Sequence, residues 1–348
     1  MNKSDIRNLS YDDLVCYLKS SGLSAFRADQ IFKWLYQATA CSFDEMQNLS
    51  KEFRSQLSRD FTFEPLKVIK KVVSDDGTVK VLFELEDKER IETVLIPSPK
   101  RATVCLSTQV GCKYGCKFCA SGVSGFKRNL TVAEILGQVL YVKRLCEEDQ
   151  RALTNVVFMG VGEPFDNYEN LMKAIGVINH HKGCHIAARR ITISTCGLID
   201  GIKKLAGAGK QCELSVSLHA ADDALRDQIM PVNKKYPLAM LMKTLRAYCK
   251  ETNRQVTFEY LCIKDVTCTI KAARQLSKLL KGLLCKVNLI VYNQIEEFDF
   301  KAPSRREVNE FRQELTSRGI IVTLRQSRGV DIDAACGQLR HANRMIKQ

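Results

Sequence analysis

Beyond Pro99 short β-rich runs alternate with helical patterns, and that alternation restricts the possible folds more than any other feature of the chain. The runs VCLS, NVVFMG, RITIST, ELSVSL, VTFEYLCI, KVNLIVY and IIVTLR are separated by stretches of helical period, clearest over 132–145, 271–280 and 305–318. Spacing of this kind predicts βαβ units around a parallel sheet, an α/β architecture. Thr131-x-x-Glu134 reads as a capping box opening the first of those helices. The first sixty residues look helical: Ser10-x-x-Asp13 and Ser42-x-x-Glu45 also read as capping boxes, and Phe26, Ile31, Trp34 and Leu35 form an apolar stripe ending near Tyr36. From Lys67 to Pro97 the pattern changes to VIKKVV, TVKVLFELE and RIETVLIP, joined by turns at Asp76-Gly77 and Asp87-Lys88, which predicts a β-meander.

With 348 residues and 45% hydrophobic content the chain can bury a substantial core. It shows no N-terminal apolar stretch and no apolar run of membrane-spanning length, so a cytosolic location is expected. Its 15 cysteines are scattered from Cys16 to Cys336, which argues against a secreted disulfide framework and for a reducing compartment. Basic residues outnumber acidic ones 53 to 39, a net +14, and the excess recurs as pairs such as Lys127-Arg128 and Lys234-Lys235 rather than as a tail. Such an excess suits a phosphate backbone, and equally a soluble basic surface.

Cys112, Cys116 and Cys119 lie in GCKYGCKFCAS, a C-x3-C-x2-C spacing. A cubane [4Fe-4S] cluster takes one thiolate per iron, so three cysteines leave one iron open to a small molecule. A zinc knuckle or reduced structural thiols are the alternatives, but zinc usually wants a fourth protein ligand. The run falls between the first strand and its helix, where parallel sheets place active sites. Other strand ends are unusual too. The second closes on Met159-Gly160-Val161-Gly162-Glu163-Pro164, where glycines permit close backbone approach beside a carboxylate. Ser194-Thr195, Ser217-Leu218-His219 and Tyr292-Asn293 end the third, fourth and sixth, and together these ends are expected to line one pocket.

The chain also contains, in order, FRADQIFKWLY, ETVLIP, CLSTQVGC, FMGVGEPFDN, TISTCGL, SVSLHA, MPVNKKYP, VNLIVYN and RGVDIDAACGQL. This series resembles the RlmN/Cfr family of radical S-adenosylmethionine (SAM) RNA methyltransferases, from about Phe26 to Leu339. The resemblance implies a partial (β/α)6 TIM-like barrel over 99–330, an N-terminal helical accessory domain over 1–62, a β-meander linker over 63–98 and a C-terminal segment over 331–348. It implies a [4Fe-4S] cluster on Cys112, Cys116 and Cys119, two SAM per turnover, and SAM contacts by Gly162, Glu163, Ser194, Ser217, Leu218, His219 and Asn293. Adenine C2 has no lone pair with which to displace a methyl group. In the family a cysteine, here Cys336, therefore takes the methyl group first. A 5′-deoxyadenosyl radical then activates it for addition to the base; Cys105 breaks the resulting tether through a disulfide with Cys336, and Glu92 accepts the C2 proton. The remaining thiols, Cys184, Cys196 and Cys285 among them, read as structural.

Family members of the RlmN branch methylate C2 of an adenosine in 23S rRNA, and often of one in tRNA; the Cfr branch methylates C8. Glu163-Pro164 and Lys234-Lys235 match the RlmN branch. Where the family often reads YNP, this chain has Tyr292-Asn293-Gln294, followed by Glu296-Glu297. A flavodoxin-type electron donor, a looped or single-stranded RNA substrate and a monomeric state complete the expectation.

Overall fold

The computed structural model describes residues 3–123 and 125–340; the last part of the expected C-terminal segment, 341–348, lies outside the described residues. A ten-stranded sheet runs in strict sequence order: β1 Lys67–Val73, β2 Val79–Glu84, β3 Arg90–Ser98, β4 Arg101–Cys105, β5 Asn155–Phe158, β6 Ile191–Thr195, β7 Glu213–Ser217, β8 Val256–Cys262, β9 Cys285–Val291 and β10 Val322–Arg325. The β1–β4 pairs are antiparallel and form the meander. Strands β4 to β10 are parallel. Each parallel connection carries helix: α4 Val132–Glu148, α5 Tyr168–Asn179, α6 Ile199–Gly207, α7 Asp223–Ile229 with α8 Leu238–Thr252, α9 Ile270–Leu280, and α10 Arg305–Ser317. These are six strand–helix units followed by a seventh parallel strand, in a sheet whose edges, β1 and β10, do not pair with each other.

Composition follows position. All seven residues of β8, VTFEYLC, are buried, as a strand covered on both faces requires. Edge strand β1, KVIKKVV, alternates exposed and half-buried positions, with Lys67 and Lys71 exposed and Lys70 half-buried. Cys105 ends β4, paired with Val94 and Val157, rather than starting a strand, because the ladder with β3 begins at Arg101.

The N-terminal helices are α1 Tyr11–Ser20, α2 Phe26–Phe32, which continues as a wider π turn over Lys33–Gln37, and α3 Lys51–Asp60. Leu14, Leu18, Ile31, Phe32, Leu35 and Tyr36 join the same apolar core as the barrel. The capping boxes at Ser10 and Thr131 form. The one at Ser42 does not: only a three-residue turn follows, and Ser42 Oγ donates to Glu45 Oε1 instead of accepting from the backbone. Phe26 leaves the expected stripe and is 64% exposed, since it opens α2 on the side away from the core. Asn8 Oδ1 accepts from Ala133 N and Lys143 Nζ donates to Gln37 O, fastening this module to α4. No helix among the described residues is long and apolar enough to cross a membrane.

After β10 the chain becomes a strap, 326–340, that crosses from the last parallel strand to the meander. Asp331 accepts from Ser74 Oγ at 2.6 Å, Asp76 from Gly329 N at 3.1 Å, and Lys80 Nζ donates to Asp333 O at 3.1 Å.

Candidate active site

β4 leads into Leu106–Thr108 and then a two-stranded hairpin, Gln109–Gly111 with Phe126–Asn129, whose connecting loop carries the three spaced cysteines. Cys112 N donates to Gly125 O, Lys117 N to Ile229 O and Cys119 N to Cys116 O, so the loop is held by its own turns and by the end of α7. All three thiols border a cavity at the carboxyl ends of the parallel strands, with about 980 Å³ of space that opens to solvent. The strap closes over the same cavity. Gly337 O accepts from Ala120 N at 2.7 Å and Leu339 O from Ser121 Oγ at 2.7 Å, which places Cys336 on the cavity wall with the cluster loop. Gly337 has φ +87°, and a Cβ there would stand 3.0 Å from Phe118 O, so the close approach of strap and loop favours glycine.

The strand ends form the rest of the wall. Gly162 has φ +102° and a Cβ would meet Gln109 at 2.5 Å. The tight turn brings Glu163 into the cavity, its N–H donating to Gln109 Oε1. Both Glu163 oxygens are occupied, accepting from Phe165 N at 3.0 Å and Cys196 N at 2.7 Å. Burial nevertheless raises its carboxyl pKa, against the pull of those hydrogen bonds. Ser194, Ser217 and His219 line the cavity as well; Leu218 is wholly buried behind it, and its N–H donates to Glu259 O. His219 adopts a left-handed backbone, φ +59°, which turns its ring edge-on to Phe118 of the cluster loop at 4.7 Å. Its Nδ1 accepts from Leu261 N, and burial drives its pKa down to about 3, so the ring is neutral. Asn293 does not border the cavity but donates from Nδ2 to Cys336 O at 3.2 Å. The loop that departs from the YNP pattern thus grips the strap: Gln294 O accepts from Gln338 Nε2, and Glu297 pairs with Arg340.

Cys105 is buried beneath the cavity floor, and burial, reinforced by the nearby Cys336 sulfur, pushes its thiol up to about 12. Glu92, 2% exposed, lies off the cavity as well: it pairs with Lys80 at 3.3 Å and accepts from Arg340 N at 2.7 Å. Two cavity residues, and a third behind the rim, were not anticipated from the sequence. Cys196, expected only as a structural thiol, follows β6 and stands on the cavity wall near Glu163 and the Cys116 sulfur, because β6 is the neighbour of β5. Arg325 ends β10, where Cys336 chiefly and Glu259 secondarily raise its pKa; a basic residue closing the run IIVTLR was the available signal. Arg226, wholly buried, donates to the carbonyls of Cys196, Ser217 and Leu218 and to Asn233 Oδ1, fixing the rim from behind with no signal in the sequence.

No group of three or more His, Cys, Asp or Glu side chains among the described residues converges on one metal ion. Three cysteines spread around a shared cavity are instead a donor set for a cluster that binds each thiolate through a different iron. Burial raises the pKa of all three thiols, to about 12 for Cys112, so a metal bound by them would displace protons. A desolvated carboxyl at Glu163, a neutral imidazole and serine hydroxyls complete a wall suited to a cationic, hydroxyl-bearing nucleoside derivative.

Residues 106–268 match the radical SAM superfamily, and residues 4–62 match the ribosomal RNA large subunit methyltransferase N-terminal domain. The chain is 46% identical over 339 residues to a probable dual-specificity RNA methyltransferase RlmN of Geobacillus thermodenitrificans, covering 97% of this chain and 93% of that one. It is 46% identical over 340 residues to the corresponding protein of Cytophaga hutchinsonii, with the same coverage. A crystal structure of a radical SAM methyltransferase from Sphaerobacter thermophilus superposes with a TM-score of 0.94 at 45% identity, covering 97% of this chain and all of that one.

Proposed function

Since the chain belongs to the RlmN family of radical SAM RNA methyltransferases, we propose that it methylates C2 of adenosine 2503 in 23S rRNA and of adenosine 37 in tRNA, in the cytoplasm and as a monomer, with a flavodoxin-type protein as electron donor. The observation that carries this reading is the position of Cys336. A thiol distant in sequence from the cysteine triad shares its cavity, while Cys105 lies close enough beneath for the two sulfurs to influence each other. When bound, the cluster on Cys112, Cys116 and Cys119 and two SAM per turnover would supply the radical and the methyl group.

Each residue then has a task set by its surroundings. Glu163 holds the ammonium of SAM, the desolvated carboxyl gaining most from a cation; Gly162 lets that ligand approach the backbone. Ser194 and Ser217 hydrogen-bond its hydroxyls, and the backbone of Leu218 and His219 shapes the wall around it. Asn293 holds the Cys336 carbonyl and so the carrier's position. Cys336 takes the methyl group as a nucleophile, Glu92 receives the C2 proton, and Cys105 frees the modified base by closing a disulfide with Cys336.

The test is a mass-spectrometric one on full-length protein carrying its cluster and mixed with a target RNA fragment. Cys105→Ala is expected to accumulate a protein–RNA adduct at Cys336, and Cys336→Ala to form neither adduct nor product. Nucleoside analysis of the wild-type product should yield 2-methyladenosine; 8-methyladenosine, or product from Cys336→Ala, defeats the assignment.

A further inference from the structure

Lys80 in β2 and Glu92 in β3 lie diagonally on one face of the meander ladder, where Glu92 opposes Leu82 and Val94 opposes Lys80. Their charged ends are 3.3 Å apart, and the side chains are only 5% and 3% exposed. The same ammonium donates to Asp333 O at 3.1 Å, three residues before Cys336, and the other Glu92 oxygen accepts from Arg340 N at 2.7 Å, four residues after it. The base and both flanks of the methyl carrier are therefore tied through one buried ion pair.

A buried ion pair stabilises little relative to an apolar pair of the same volume, because desolvation offsets the attraction. A methionine would fill the Lys80 site without that cost. What it would not do is hold a carboxylate in its ionised form inside the protein, and only an ionised carboxylate accepts a proton. We propose that Lys80 is a positioning residue for the proton-accepting step: it keeps Glu92 a carboxylate and, through Asp333 O, holds the Cys336 strap in register with it. This rests on the reading of Glu92 as the proton acceptor. Burial raises the Glu92 carboxyl, and Lys80 is the largest opposing influence, followed by the Arg340 backbone and side chain; these are the charged groups that face it from β2 and the strap. A raised carboxyl loses its function as pH falls through its own pKa, so loss of Lys80 moves the acid limb of the rate profile to higher pH.

The experiment compares wild type, Lys80→Met, Lys80→Arg and Glu92→Gln, each full-length, cluster-loaded and mixed with the RNA fragment. Methyl loading of Cys336 and the covalent adduct are followed by mass spectrometry, and product release as a function of pH. The expected result for Lys80→Met is normal methyl loading, an accumulating adduct as in Glu92→Gln, and an acid limb displaced upward by about one pH unit, which lowers release about tenfold below the limb. Lys80→Arg, which retains the charge, is expected to return the limb most of the way. If Lys80→Met takes up no cluster, Lys80→Gln carries the test by the same criteria. An unshifted limb and no adduct in the Lys80 variants, while Glu92→Gln stalls, overturns the proposal and leaves the role of Glu92 intact. Normal release from Glu92→Gln overturns the role of Glu92 itself.

Discussion

His219 shows how one side chain can be set by its burial. The neutral ring holds a strained left-handed backbone in place by accepting from Leu261 N and meeting Phe118 edge-on. Protonation would remove that acceptor and bury a charge near the Arg226 guanidinium. The folded ring takes a proton only near pH 3, the unfolded one near 6.5, so below about 6.5 the unfolded state binds more protons and this group's contribution to stability falls as pH falls. The His219 ring resonances are accordingly expected to stay fixed between pH 5 and 8 in two-dimensional NMR. Denaturant midpoints should drop less between pH 7 and pH 5 in His219→Gln than in wild type; a ring that titrates near 6.5 would refute the assignment. Glu163, by contrast, has both oxygens satisfied and still carries a raised pKa, because two neutral N–H donors do not replace the water it lost.

At the scale of elements, the capping boxes separate into those backed by a helix and the one that is not. Thr131 Oγ1 accepts from Glu134 N at 3.2 Å while Glu134 accepts from Thr131 N at 2.8 Å, and the same carboxylate makes a bidentate pair with Arg128 on the hairpin that frames the cysteine loop. Thr131→Ala is expected to cost about 1 kcal/mol, read as a lowered denaturation midpoint. Glu134→Ala should cost more, since it also releases the hairpin, and equal effects of the two would show that Arg128 contributes nothing there. The strap is the opposite kind of element. It has hardly any regular structure, and its place is set by the sheet's open edge, by Ser74 and Asp76 at one end and by the cysteine loop at the other.

For the whole molecule, one apolar core runs from the N-terminal helices into the barrel, so the basic surface of both parts is carried on a single body. Lys117, between the cavity-lining Cys116 and Phe118, and Lys127, on the hairpin strand that follows the cysteine loop, are both exposed. Alanine at either is expected to weaken RNA binding and reduce the slope of log K against log salt by about one, each lysine accounting for one released counterion. Formation of 5′-deoxyadenosine without RNA should be unchanged. Slopes equal to wild type in both variants would remove these lysines from the RNA contact.

Strand and helix periods, turn residues and the cysteine spacing are local properties, so the α/β alternation, the meander and the three-thiol loop could be read from the residues in order. Glu163, Ser194 and His219 were legible for a related reason: the carboxyl ends of parallel strands converge whatever the helices between them contain. Convergence of residues far apart in sequence was decided only by the fold. Cys196 reaches the cavity because β6 lies next to β5, and Glu92 meets Lys80 because the meander register sets them on one face. Cys336 reaches the cysteine loop because a strap without periodicity finds its hydrogen-bond partners on three separate parts of the chain. Sequence records what each segment prefers alone; which segments meet depends on a shared packing that buries apolar surface while leaving few buried polar groups without a partner.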